Sequence, residues 1–366
     1  MKRFFIIWMG VWLTVTACQN HSDETTSVST TEKTAQSETA LKNDPSAAAK
    51  IPDVLPETDP YEPGETLHVA VISDINESYG TIGYSPVTLG AVQDIIRRKA
   101  DFVLSPGDLV AGQKQGLDYD AMWRAFHYQI GDVFFDNDIE FFMAPGNHDA
   151  SAYSQHFAER QAMARAFENR LPKTPLLEGS HYPFYYAVEI RGVLVVALDI
   201  TRPIRNDDPQ LEWLALILEK HASRRANLII GHLPIFPIDF GSLWEVAGSS
   251  KLLDILTKSP SPTLYISGHH HIYYPAHFGE LRLVACPALG AGPRSIYANG
   301  RPMNGYVMID IPPDAPPKVT ALIAPNFNTA VNIKSLPEQR ILLEREDVGM
   351  AEYIMEMLDK TVTVKE

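Results

Sequence analysis

The chain has 366 residues, 45% of them apolar, which suffices for one large or two ordinary domains with a real core. Its 45 acidic residues outweigh 31 basic ones and leave a net charge of -14, the wrong sign for binding a nucleic-acid backbone. No repeat of solenoid or propeller period is present.

Met1-Lys2-Arg3 and the apolar stretch Phe4–Thr16 read as a secretory leader, with a basic start and a hydrophobic run too short to span a bilayer. The run ends in Val15-Thr16-Ala17-Cys18, which resembles the lipobox of bacterial lipoproteins. That resemblance implies cleavage after residue 17, lipidation of Cys18 and a place in the bacterial cell envelope, facing the periplasm from the outer membrane in a Gram-negative cell. With Cys18 lipidated, Cys286 has no disulfide partner, and after Leu283-Val284-Ala285 it reads as a buried small hydrophobe. From Gln19 to about Gly64 the chain is rich in Ser, Thr, Glu, Ala and Pro and poor in large apolar residues. Such a segment cannot repay its ordering entropy, so residues 18–64 are expected to be a lipidated Cys and a disordered tether. A flexible coil of that length would hold a domain about 40 Å from its anchor.

The globular part, expected over residues 65–325, begins with the β-branched strand Leu67–Ser73, running into Asp74-Ile75-Asn76. Helical spacing over Val87–Lys99 follows, then the strand Phe102–Ser105, ending in Pro106-Gly107-Asp108. Asp118 caps a helix to Ile130, and the strand Ile139–Ala144 ends in Pro145-Gly146-Asn147-His148-Asp149. An amphipathic helix spans about Ser154–Glu168. Pro183–Ile190 and Val193–Asp199 flank the two-residue turn Arg191-Gly192 as a hairpin. Next come the helix Pro209–His221, the strand Leu228–Ile230 before Gly231-His232, and the short helix Lys251–Thr257. The apolar run Thr263–Ile266 leads into Ser267-Gly268-His269-His270-His271. Strands are expected at Leu281–Ala285, Tyr306–Ile311 and Val319–Ile323, and a helix near Met350–Leu358 in the extension 326–366. Alternating strands and helices early, with further strands late, indicate a mixed α/β fold with more than one sheet.

In each case a loop bearing Asp, Asn or His follows an apolar strand, where open α/β sheets place their ligands. In an extended backbone His269 and His271 would share one side and His270 take the other. Taken one at a time these residues have ordinary readings: Gly107-Asp108 and Gly146-Asn147 as turns, Asp149 as a helix cap, His232 as a core histidine. The ordered set does not. Asp74-Ile75-Asn76, Gly107-Asp108, Gly146-Asn147-His148-Asp149, Gly231-His232 and Gly268-His269-His270-His271 resemble the calcineurin-like metallophosphoesterases, whose pattern is D-x-H, G-D, G-N-H-[DE], G-H and G-H-x-H.

The resemblance implies a two-sheet αββα sandwich and hydrolysis of a phosphate mono- or diester at a site of two divalent metal ions. Two such ions roughly 3.5–4 Å apart generate a hydroxide at neutral pH and clamp a phosphoryl group. Asp108 would bridge them, Asp74 and His271 would hold the first, and Asn147, His232 and His269 the second. His148 would stabilise or protonate the leaving oxygen, with Asp149 orienting its ring. Asn76 stands where the family has histidine. Its amide oxygen is a weaker and harder donor, so the first ion is expected to be loose, and Mn, Fe or Mg rather than Zn. Glu77 and Tyr79 are alternative ligands. Arg202, Arg205, Tyr79, His270 and Arg294 are candidate substrate contacts. A catalytically weak relative that binds a phosphorylated ligand or a protein partner is the alternative reading of Asn76. Gly290-Ala291-Gly292-Pro293 is not a dinucleotide loop, since Ser295 occupies the third glycine position and no helix is expected after it.

Overall fold

The computed structural model describes residues 65–221, 225–238, 245–295 and 302–336. The leader, Cys18, the tether and the helix expected near Met350–Leu358 lie outside the described residues. Among the described residues no helix is long and apolar enough to cross a membrane.

In chain order the elements are β1 (Leu67–Val71), α1 (Pro86–Arg97), β2 (Phe102–Ser105), α2 (Tyr119–Phe126), α3 (Asp132–Phe135), β3 (Glu140–Met143), α4 (Asn147–Ala150) and α5 (Phe157–Phe167). They continue with β4 (Leu176–His181), β5 (Tyr185–Ile190), β6 (Val193–Leu198), α6 (Pro209–Lys220), β7 (Ala226–Gly231), α7 (Ser250–Thr257), β8 (Thr263–Ser267), β9 (Tyr274–Phe278), β10 (Leu281–Ala285), β11 (Gly305–Ile311), β12 (Lys318–Ile323) and β13 (Thr329–Ala330). The strands form two sheets, ordered β13-β12-β11-β1-β2-β3 and β4-β5-β6-β7-β8-β10-β9. Strands β1, β2 and β3 are parallel, as are β6, β7 and β8.

Alternation along the central strands builds four layers. Leu67, Val69 and Val71 of the first sheet share one core with Val193, Val195, Leu228, Ile230, Leu264 and Ile266 of the second. Ala70 and Ile72 face the other way, onto Ala91, Val92 and Ile95 of α1 and Met122 and Trp123 of α2. Leu194, Val196, Ile229 and Tyr265 face Leu214, Ile217, Leu252 and Leu256 of α6 and α7. Helix, sheet, sheet and helix stack in that order, the expected αββα sandwich. Side-chain caps set where helices start. Ser85 Oγ accepts from Thr88 N at 3.2 Å, and Asp118 Oδ1 accepts from Ala121 N at 2.9 Å. Arg191 and Gly192, both at positive φ (51° and 77°), make the tight turn between β5 and β6. Cys286 is buried as expected.

Three segments differ from expectation. The helix expected to Ile130 stops at Phe126, passes through a π-turn at His127–Gly131, and resumes as α3. Successive α-helical residues point about 100° apart, yet Phe126 and His127 both pack on Phe167, with centroids 6.4 and 5.1 Å away; the widened turn allows this. Strand β9 escapes pattern reading because it carries Pro275, which an edge strand tolerates. Strand β4 is hidden by irregular pairing with β5 at Glu178. The first sheet also continues past residue 325: Phe327 is buried in its outer core and β13 pairs with β12.

Candidate metal centre

The loops that leave β1, β2, β3, β7 and β8 meet at the carboxyl ends of the two sheets. Asp74 N donates to Gly107 O (3.1 Å), Ile75 N and Asn76 N to Asp108 O (3.0 and 3.2 Å), and Gly268 N to His232 O (3.1 Å). Four of the collected side chains sit on left-handed backbone: Asp74 (φ 51°), Asp108 (58°), His269 (68°) and His271 (57°). Each such residue costs about 1–2 kcal/mol unless its surroundings over-determine it. The close approach of the loops supplies that constraint. A Cβ on Gly268 would collide with Ser73 Oγ and the Asp74 carboxylate, and one on Gly146 with Asp108. Only glycine fits at either place.

Donor atoms of Asp74, Asp108 and His271 all lie within 4.8 Å of one another. Asp74 Oδ2 accepts from Ser73 Oγ at 2.6 Å, and both its oxygens lie near His269 N, at 3.1 and 3.2 Å. Asp108 Oδ1 accepts from His148 N at 2.8 Å, and its Oδ2 is 3.4 Å from His232 Nε2 and 3.9 Å from His148 Nε2. His271 donates through Nδ1 to Gly292 O (2.8 Å), which turns Nε2 to Asp74 Oδ1 at 3.2 Å. His232 likewise donates through Nδ1 to Pro106 O (3.0 Å) and points Nε2 inward. There it meets Asn147 Oδ1 at 2.7 Å and His269 Nδ1 at 3.2 Å.

Backbone carbonyls thus fix the tautomers, and the free imidazole nitrogens face carboxylate and amide oxygens. Lone pairs at such distances repel unless a cation or a proton stands among them. The electrostatics agree. Burial opposes charge on His232, but Asp108, with Asp74 and Asp149, pushes its pKa up to about 9. Burial likewise opposes charge on Asp74, yet His271 holds its carboxyl below the usual range; His232 and His148 do the same for Asp108 against the same penalty.

Asn76, 4% exposed, has an amide Oδ1 without a hydrogen-bond partner, and the adjacent Glu77 has a buried Oε1 in the same condition. Buried acceptors are rarely left unpaired. Two orphaned oxygens on the loop that carries Asp74, together with the convergent oxygen and nitrogen donors of Asp74, Asp108 and His271, fit a hard or borderline divalent metal ion.

Metal-free protein should therefore lose stability as pH rises through the His232 transition. The folded-state pKa lies above the ordinary 6.5, so the contribution is fully present below pH 6.5 and is gone above about 9. The shift corresponds to about 3 kcal/mol. Asp149, raised to about 7 by burial and then Asp108, acts in the same direction between its ordinary 3.8 and that value. Urea midpoints of chelator-treated protein should fall from pH 6.5 to 9, and divalent ions should flatten the fall; a midpoint that rises would refute it.

Two expected roles are corrected. Asp149 does not orient the His148 ring: its Oδ1 accepts from Leu109 N (2.7 Å) and Val110 N (2.9 Å), and its Oδ2 from Gly146 N (2.9 Å). It clamps the β2 loop to the β3 loop, while the His148 ring donates through Nδ1 to Gly112 O at 3.1 Å. His270 faces away from the centre, fully buried, accepting from Ile238 N (3.4 Å) and donating to Glu245 O (3.0 Å). Arg205 pairs with Asp207 at 2.8 Å. Tyr79, 56% exposed, stacks on His148 with centroids 5.2 Å apart. Sequence reading missed Gln113, whose Oε1 accepts from Asn147 Nδ2 at 2.9 Å. No motif flags it.

Carboxylate and imidazole donors thus converge at the strand ends of an αββα sandwich as a candidate divalent-metal centre. The chain belongs to the calcineurin-like phosphoesterase family, whose sequence model matches residues 67–273. A search of curated proteins finds no match. Among solved structures it is similar to a purple acid phosphatase from yellow lupin (Lupinus luteus) seeds, at 16% identity and TM-score 0.54 over 72% of this chain and 52% of that one. The chain thus spans about half the length of the lupin enzyme. A dimetal phosphatase from Danio rerio is similar at 13% identity and TM-score 0.46, over 70% of this chain and 95% of that one.

Proposed function

We propose that the chain hydrolyses a phosphate mono- or diester at a dinuclear centre. The convergence of donor atoms from Asp74, Asp108 and His271 within 4.8 Å carries this reading. Asp74, Asn76 and His271 would hold one ion, Asn147, His232 and His269 the other, and Asp108, facing both groups, would bridge. When bound, the ions would supply a nucleophile from water at neutral pH and neutralise charge on the phosphoryl oxygens.

The chain's own residues do the rest. Asp74 and Asp108 would set two negative charges against two dications, so a loaded site would be locally positive in an acidic protein and would attract a phosphate ester. His148 stands at the rim, half-shielded by Tyr79, with Nδ1 committed to Gly112 O. Its Nε2 is therefore the atom that can hold or deliver a proton at the leaving oxygen.

The test is metal analysis coupled to hydrolysis of aryl phosphate mono- and diesters by chelator-stripped, reloaded protein. Hydrolysis should vanish on stripping and return more with Mn than with Zn. Purified protein should carry fewer than two ions per chain, because an amide oxygen at position 76 donates less than an imidazole. Asn76→His should raise occupancy and favour Zn. Binding of phosphate esters without turnover under any of Mn, Mg, Fe or Zn would sink the proposal.

A further inference from the structure

The amide of Asn147 has two chemically opposite ends, and a residue outside every motif determines which one faces the centre. Asn147 Nδ2 donates to Gln113 Oε1 at 2.9 Å, and this leaves Oδ1 turned to His232 Nε2 at 2.7 Å. Were Gln113 to present its own amide nitrogen, Asn147 would have to offer Oδ1 to it and aim an N–H at His232. That orientation puts a donor where the centre gathers lone pairs, so the two amides act as one unit.

Gln113 sits on a strained backbone, at φ 63°. A non-glycine residue there costs about 1–2 kcal/mol, and nothing about the turn itself requires a glutamine. The two carbonyls before it are also committed: Ala111 O accepts from Gly80 N at 2.8 Å, and Gly112 O accepts from the His148 ring at 3.1 Å. Three consecutive residues therefore hold the Tyr79 loop, the His148 imidazole and the Asn147 amide.

We propose that Gln113 is a positioning residue that presents Asn147 Oδ1, rather than its amide nitrogen, to the second metal ion. This rests on the assignment of Asn147 as a ligand, and the experiment separates the two. Mn²⁺ is titrated calorimetrically into chelator-stripped full-length protein carrying Gln113→Leu, Gln113→Gly, Gln113→Glu or Asn147→Ala. Gln113→Leu and Gln113→Gly should weaken one of the two binding events by about tenfold to a hundredfold, the range for loss of a group that orients a ligand. Gln113→Glu, which still accepts from Nδ2, should bind within a few-fold of wild type. Gln113→Gly relieves the left-handed backbone, so it remains informative if the leucine variant fails to fold. Wild-type affinity in the leucine and glycine variants, with weakened binding in Asn147→Ala, overturns the role of Gln113 alone. Wild-type affinity in all three overturns the ligand assignment with it.

Discussion

Replacing Asp108 with asparagine should lower ester hydrolysis by about a thousandfold and lower the metal content of the purified protein at the same time. The amide keeps an oxygen for His148 N, so the β3 loop should stay in place. What changes is the other atom. With that oxygen on His148 N, asparagine puts two N–H bonds at the Oδ2 position, which faces His232 Nε2 at 3.4 Å. An N–H group cannot bridge two cations. Because Asp108 is buried, no other carboxylate can swing in from solvent to replace it. Far-ultraviolet circular dichroism should report an intact fold beside metal analysis and aryl phosphate turnover. Full metal content and full turnover in this variant would remove Asp108 from the centre.

His148→Ala should separate chemistry from metal binding. The variant keeps the backbone N–H that Asp108 accepts, and it loses only a ring whose Nε2 is 3.9 Å from that carboxylate. Both ions should therefore stay, while turnover falls by about 10²–10⁴-fold. The loss should grow with the basicity of the leaving alcohol, since an alkoxide needs a proton more than a nitrophenolate does. Rates across a series of aryl and alkyl esters measure this directly. An equal loss for every leaving group would exclude proton delivery by His148.

Much of the fold was legible because its central strands are buried on both faces or on one, and leave uninterrupted apolar runs such as Val193–Leu198 and Thr263–Ile266. The candidate site was legible because β1, β2, β3, β7 and β8 each run into a loop bearing candidate ligating residues. What escaped is governed by tertiary contacts. Pro275 disguises an edge strand, and the π-turn at His127–Gly131 answers to the position of Phe167. The pattern His269 and His271 inward, His270 outward, was anticipated from an extended strand, but the structure achieves it with two left-handed residues. Asp149 was read as the partner of its sequence neighbour, whereas its buried carboxylate serves backbone amides some 40 positions away. Gln113 carries no sequence signal at all, since an amide in a loop reads as solvent-facing until Asn147 folds against it.

The ligand loops come from both sheets, and Asp74 and His271 stand 197 positions apart along the chain. Closing a loop of that length is entropically costly, and each proposed ligand set draws on loops of both sheets. Metal capture would thus be a late event on the folding route, after the two sheets have docked. Once made, the ligand bonds would join the sheets across the core that separates them. An ion would then act as a kinetic lock, slowing unfolding more than it speeds folding, because its bonds are absent from the transition state.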